Sequence, residues 1–298
     1  MQDLHLVCEA LKEKEVMIFF RDTLRDGYGE YFQTHSKEAM KLVDMALDLI
    51  IAGQQQEVSI FRLVSDTQKA SKMFLNNADP DYWFRKEYLR YRTIYKCESE
   101  YQEIRSYISG NILLDLGCGD GSFANYLIKQ GYDAWGSDIV RYPQSQLIPS
   151  KFRVLNSYCD IQQDGVNFDT IFIKSVLHHI EKAKIGNILS VLHYCPRRLI
   201  IKEEIIPSEI ISDDRLLLKY TKLSVHDQLQ FLILMDYFGN VIAQGYDFMN
   251  LPFSFQSLGQ WKRIFAQYNF KLQKVIPACF EHNTPHKNAY EWMIFDAI

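Results

Sequence analysis

Ile112-Leu113-Leu114-Asp115-Leu116-Gly117-Cys118-Gly119-Asp120-Gly121-Ser122-Phe123 is the stretch on which the reading of this chain turns. Its apolar start, Ile112, Leu113, Leu114 and Leu116, predicts a short buried strand. Glycines then occupy alternate positions, 117, 119 and 121. Phe123, Ala124, Leu127 and Ile128 follow at helical spacing, up to Gly131. The predicted unit is strand, glycine loop, helix. With no Cβ at those positions the backbone can turn sharply and a ligand can approach it closely. The helix start adds free N–H groups and a positive dipole end, suited to an anionic group such as a carboxylate.

Spacing separates the possible ligands. Dinucleotide folds use G-x-G-x-x-G. Here an acid inside the strand end leads glycines at every second residue, Asp115-x-Gly117-x-Gly119-x-Gly121. A second acid, Asp138, ends the next predicted strand in Tyr132-Asp133-Ala134-Trp135-Gly136-Ser137-Asp138-Ile139. The pattern resembles the class I S-adenosylmethionine-dependent methyltransferases. That resemblance implies that Asp115 and the loop hold the methionine part of the cofactor and that Asp138, with Ile139 beside it, meets the ribose. A carboxylate at that place can accept both ribose hydroxyls, as in dinucleotide folds.

Composition narrows the alternatives. The 298 residues are enough for one large domain or one and a half. With 33 basic and 37 acidic residues the formal charge is −4, which argues against a nucleic-acid footprint over the whole surface. Six cysteines, at 8, 97, 118, 159, 195 and 279, form no C-x-x-C pair and read as reduced thiols of a cytoplasmic protein. Early charges (Asp3, Glu9, Lys12, Glu13) speak against a cleavable signal, and no apolar run reaches the ~18 residues of a membrane span. Oligomeric state stays open.

Residues 1–108 read as helical. Leu4, Val7, Cys8, Leu11, Val16, Ile18 and Phe19 give an apolar face expected to end near Asp26-Gly27. Ser36 to Ile51 is a clearer stripe, with Ser36 as N-cap and Gly53 as terminator, and a third helix covers Ser59 to Leu75. Between Asp81 and Ile108 aromatic residues (Tyr82, Trp83, Phe84, Tyr88, Tyr91, Tyr95) interleave with Arg85, Lys86, Arg90, Arg92 and Lys96. Such a mixture can grip single-stranded nucleic acid. With this charge balance it reads rather as an amphipathic helix, aromatic side inward and charges solvated. By the resemblance, Arg90 or Tyr91 could reach the cofactor.

From Asn111 strands and helices alternate, the texture of a mostly parallel sheet. Phe152–Leu155, Phe168–Ile173 and Arg198–Glu204 are the third to fifth strands. Phe255–Phe270 is a helix capped by Ser257, and Lys271–Ile276 and Tyr290–Phe295 are the closing strands. The resemblance places Asp160 at the adenine amino group and Ile161 on the ring, with Asn156 as the aligned residue if the third strand is shorter. It also puts Lys174, at the end of strand four, among the cofactor-binding residues. Phe168-Asp169 and Leu177-His178-His179-Ile180 resemble the strand and turn of methyltransferases acting on small molecules and lipids. The Asn/Asp-Pro-Pro-Tyr/Phe signature of base- and glutamine-modifying enzymes is missing. Between strand five and the next helix lies Pro207–Pro252, too long for a plain connection.

The expectation is therefore an α/β, Rossmann-like methyltransferase sheet, mostly parallel with an antiparallel last strand, in a domain of residues 109–298. A helical lid insertion at 207–252 and the helical region 1–108 lie on the substrate side. The expected activity is methyl transfer from S-adenosylmethionine to a small-molecule acceptor through an oxygen atom. A protein or RNA methyltransferase, and a non-catalytic interaction subunit of the same fold, are the alternatives. A hydroxyl acceptor needs a base. His179, His178 and Glu203, at strand ends, are the candidates, with Glu204, His226 and Asp227 behind them. A metal held by His178, Glu203 and Asp213 or Asp214 fits no ligand spacing, so no metal is expected.

Overall fold

The computed structural model describes residues 3–52, 60–76, 79, 81–142, 147–162, 165–193, 197–206, 215–280 and 284–298. In chain order the helices and strands are α1 (Leu4–Ala10), α2 (Lys14–Tyr31), α3 (Ser36–Ala52), α4 (Ile60–Leu75), α5 (Trp83–Arg90), α6 (Lys96–Ile104), β1 (Ile112–Leu116), α7 (Ser122–Lys129), β2 (Asp133–Asp138), β3 (Phe152–Val154), β4 (Thr170–Lys174), α8 (Lys182–Leu192), β5 (Arg198–Ile206), α9 (Arg215–Tyr220), α10 (Val225–Tyr237), β6 (Gln256–Ser257), α11 (Leu258–Gln267), β7 (Phe270–Phe280) and β8 (Ala289–Ala297). A π-helical turn, Tyr91–Tyr95, joins α5 to α6. No helix among the described residues is long and apolar enough to cross a membrane.

These elements form two units. One comprises residues 90–205, 256–278 and 290–298, and the other 1–89, 206–255 and 279–289. The first is built on a sheet of order β3-β2-β1-β4-β5-β8-β7, with β6 paired to β5. β1 pairs in parallel with β2 and β4, β2 with β3, and β4 with β5. β8 runs antiparallel to β5, Ile201 opposite Met293. A parallel sheet covered on both faces requires continuously apolar strands. β1 and β4 comply, with Leu113, Leu114, Ile171, Phe172 and Ile173 all buried. This is the expected Rossmann-like sheet with its antiparallel last strand. On one face Leu189, Leu192, Trp261 and Phe265 pack against Leu199, Ile201 and Phe295. α11 starts with a capping box: Ser257 accepts from the Gln260 N–H at 3.3 Å and the Gln260 side chain accepts from the Ser257 N–H at 2.7 Å.

The sheet unit begins at residue 90 and not at 109, because α6 belongs to it. Buried Cys97, Glu100 and Ile104 face inward, and Tyr101 lies 5.6 Å from the Tyr126 ring of α7.

In the helical unit, α10 is the central element: Gln230 to Met235 are all buried, and it packs on α1 and α2. The segment expected as a lid thus supplies the core of this unit, while residues 207–214 lie outside the described ones. Tyr28, Phe32, Phe74, Phe84 and Phe238 form an aromatic cluster, with Tyr28 and Phe84 stacked at 6.0 Å. Lys287, 5% exposed, pairs with Asp26 at 2.6 Å and with Glu30.

Two local expectations are corrected. The first helical stretch does not stop at Gly27; α2 runs on to Tyr31. Gly27 is there for close approach: a Cβ would stand 2.6 Å from the Pro285 carbonyl oxygen. Ser36 opens α3 directly after a 3-10 turn at Gln33–His35 instead of capping it from outside. Gly53 lies outside the described residues.

Candidate active site

β1 delivers the glycine loop to the C-terminal edge of the sheet, where open α/β sheets bind ligands. Gly117, Gly119 and Gly121 all take left-handed φ angles, +75°, +56° and +76°. The loop is anchored to β2: the N–H groups of Gly117 and Cys118 both donate to the Ser137 carbonyl, at 2.7 and 3.1 Å. The three glycines have different reasons to be glycine. A Cβ on Gly117 would run into the Val176 side chain, and one on Gly121 would stand 2.7 Å from Leu147 Cβ. A Cβ on Gly119 would meet nothing within 4 Å. Gly119 keeps open the space above the loop.

Asp138, at the end of β2, is 4% exposed, and burial pushes its carboxyl up against the pull of the N–H groups it accepts. Its Oδ2 accepts the Gly119 N–H at 2.8 Å, and its Oδ1 accepts the Val140 N–H at 3.3 Å. Tyr158 donates its hydroxyl to the same Oδ1 at 3.5 Å. Ile139, next in the chain, is 44% exposed, an apolar side chain left in the open beside this carboxylate.

Asp115 lies inside β1, 2% exposed. Burial pushes its carboxyl up to about 6; Lys174 pulls it down, while Glu100, Asp138 and Asp120 add to the rise. Among the described residues its carboxylate has no hydrogen-bond partner. Lys174, at the end of β4, donates instead to Glu100 Oε2 at 2.9 Å and sits 3.5 Å from the centre of the Phe123 ring. Lys202 on β5 donates to the other oxygen, Oε1, at 3.0 Å. Glu100 therefore clamps two buried lysines, one at the end of β4 and one in the middle of β5. Burial opposes its charge, but Lys174 and Lys202 outweigh burial and hold its carboxyl far below the usual range. Asp120, also buried, pairs with Arg92 at 3.2 Å.

The ends of β4 and β5 are tied by a second network. Ser175, directly after β4, takes φ +52°, strained for a residue with a side chain. Its N–H donates to the Lys202 carbonyl at 2.8 Å and its hydroxyl to Glu204 Oε1 at 2.9 Å. Glu203 is fully buried: Oε1 accepts the N–H groups of Val176 (3.1 Å) and Leu177 (2.7 Å), and Oε2 lies 2.6 Å from His178 Nδ1. His178 is 1% exposed, and the His179 ring stands edge-on to it at 4.2 Å between centroids. His179 is half-buried.

The sequence-derived candidates thus fall into groups. Asp115, the three glycines and Asp138 meet at the ends of β1 and β2, and His178, His179 and Glu203 meet at the ends of β4 and β5. Glu203, expected as a proton carrier, is spent on holding the turn that presents the histidines; a group with no exposed surface cannot reach an acceptor. His178, Glu203 and Glu204 also offer ligand-type atoms within 4.8 Å of one another, but the short Glu203–His178 contact is that of a hydrogen bond. Asp213 and Asp214 lie outside the described residues. Asp160 accepts the Ser157 N–H at 3.0 Å within its own turn, and Ile161 is packed into the sheet core at 4% exposure. Sequence reasoning passed over Glu100, Lys202 and Tyr158. Glu100 lies 74 and 102 positions from its two lysines, so no local pattern marks it.

Residues 88–196 match a family described as a methyltransferase domain. No curated protein matches the sequence. Similar solved structures include the magnesium protoporphyrin IX methyltransferase of Synechocystis PCC 6803 with bound SAH. It is 16% identical over 68% of this chain and 82% of that one, with a TM-score of 0.44. The mitomycin 7-O-methyltransferase MmcR is 12% identical over 88% and 71%, with a TM-score of 0.45. The 1,6-didemethyltoxoflavin-N1-methyltransferase of Burkholderia thailandensis is 12% identical over 78% and 86%, also at 0.45.

Proposed function

We propose that this chain, whose residues 88–196 match a methyltransferase domain, is a class I methyltransferase that transfers the methyl group of S-adenosylmethionine to a hydroxyl of a small molecule. The observation that carries the reading is the pairing of an open space above Gly119 with a buried carboxylate, Asp115, whose charge Lys174 only partly offsets. A buried carboxylate short of countercharge is costly unless a cation completes it. The ammonium of the methionine part is such a cation. Asp138 keeps acceptor capacity for ribose hydroxyls beyond the two N–H groups it already holds, and exposed Ile139 offers apolar surface to the nucleoside.

Bound S-adenosylmethionine supplies an electrophilic methyl on a sulfonium. The remaining work belongs to the chain. It must hold an acceptor lone pair in line at near-attack distance, a matter of positioning that can be worth ~7–11 kcal/mol. For a hydroxyl it must also remove a proton. We assign that role to His179, half-buried at the same edge of the sheet, with His178 and Glu203 behind it as positioning residues. Histidine takes and releases a proton near neutral pH without large tuning.

Calorimetry with S-adenosylhomocysteine tests the cofactor half. Binding is expected, with no binding of NAD; the reverse result refutes it. His179→Gln tests the chemical half on any hydroxyl acceptor found by screening. A kcat lower by about 10²–10⁴, with S-adenosylhomocysteine affinity within a few-fold of wild type, is expected for a general base. Unchanged turnover would remove His179 from the mechanism.

A further inference from the structure

Asp138 cannot accept both hydroxyls of a ribose while Tyr158 stays bonded to it. A carboxylate offers about four acceptor positions. Two are taken by the backbone N–H groups of Gly119 and Val140, which belong to the loop and strand end and stay in place. The Tyr158 hydroxyl takes a third, at 3.5 Å, the outer limit of a hydrogen bond. One of two incoming ribose hydroxyls must therefore compete with Tyr158. Tyr158 opens the short 3-10 helix Tyr158–Gln162 between β3 and β4, and its ring packs against the sheet core that contains Leu155 and Ile161. The ring is thus held by packing while only the weak hydroxyl contact has to give way.

We propose that Tyr158 is a nucleoside-binding residue: its hydroxyl stands in for a ribose hydroxyl on Asp138 and, when the nucleoside enters, turns to that ribose hydroxyl. Asp138 accepts from the ribose and Tyr158 donates to it, so one ribose hydroxyl is read from both sides. A tyrosine serves here because its hydroxyl stays protonated. Burial, then the nearby Asp138, hold its hydroxyl pKa well above the ordinary range, so it keeps its proton and remains a donor. Phenylalanine would fill the same space and lack the donor.

The inference rests on the cofactor reading above, and its test separates the two. S-Adenosylhomocysteine and its 2′-deoxy and 3′-deoxy counterparts are titrated calorimetrically into the wild-type protein and into Tyr158→Phe. The variant is expected to bind S-adenosylhomocysteine about 3- to 10-fold more weakly, the size of one ordinary hydrogen bond. That loss should vanish on one of the two deoxy compounds, the one lacking the hydroxyl Tyr158 reads, and persist on the other. Equal affinity of variant and wild type for S-adenosylhomocysteine overturns the proposal. So does an equal loss on all three compounds, which would make Tyr158 a packing residue. If the wild type binds none of the three, the cofactor reading fails first and takes this one with it. An unchanged Tm of the unliganded variant certifies that the fold is intact.

Discussion

Replacing Asp115 by asparagine should stabilise the unliganded protein and disable it. The carboxyl ordinarily titrates at 3.8, and burial pushes it up to about 6 in the fold. Two pKa units at 1.36 kcal/mol each make the ionised native form about 3 kcal/mol costlier than its protonated form relative to the unfolded chain. The sign follows from proton counts. Between about pH 4 and 6 the native protein holds the Asp115 proton and the unfolded chain has lost it. Stability therefore falls as pH rises through that window and levels off above it. Asparagine mimics the protonated form and does not titrate. Urea unfolding of both proteins at steps from about pH 4.5 to 7.5 should show Asp115→Asn gaining on wild type by about 2–3 kcal/mol across the series. Calorimetry should show the opposite for ligand. Wild-type affinity for S-adenosylhomocysteine should weaken as pH drops below about 6, while the variant binds weakly at every pH. A stability gap constant with pH would refute the argument, since it would mean that Asp115 titrates alike in both states.

The glycine loop and the buried lysines lead to further outcomes. Gly119→Ala should fold with a loss of about 1–2 kcal/mol from its positive φ and lose most S-adenosylhomocysteine affinity, because its Cβ enters open space. Gly117→Ala should instead unfold at clearly lower temperature, since its Cβ meets Val176; equal Tm for the two variants would contradict the assignment of their roles. Glu100→Ala removes the buried carboxylate that Lys174 and Lys202 share, expected to cost about 3–5 kcal/mol and to appear as a Tm lower by roughly 10 °C. A drop of only a degree or two would show that the lysines find water or neutralise easily.

What the sequence makes legible is whatever chemistry writes locally. Twelve residues from Ile112 suffice for strand, loop and helix, because buried parallel strands must be apolar and a left-handed loop must be glycine. Ser257 and Gln260 likewise announce the start of α11, as their bonds span three residues. Legibility ends where meaning depends on a distant partner. Gly27 looks like a helix terminator until Pro285 is brought against it. Glu203 looks like a strand-end acid free to work until the turn at Val176–His178 closes over it. Residues 90–108 read as one more stretch of the N-terminal helices until Glu100 is seen holding β4 and β5. Helical texture alone cannot say which core a helix joins.

Lys287 carries a consequence for how the chain is made. Its buried ammonium completes a pocket formed by Asp26 and Glu30 on α2, yet it lies 257 positions after Glu30. At roughly 5–20 residues per second of synthesis, α2 emerges roughly 15–50 s before the residue that neutralises it. Over that interval Asp26 and Glu30 stand one turn apart as unpaired like charges, and Gly27 lacks the carbonyl it was shaped for. The first helices on the ribosome therefore cannot reach their final packing alone. Cutting the gene at residue 89 or 90 would not yield a helical fragment that matures independently, and swapping this unit between related enzymes would require transplanting three separate stretches of chain.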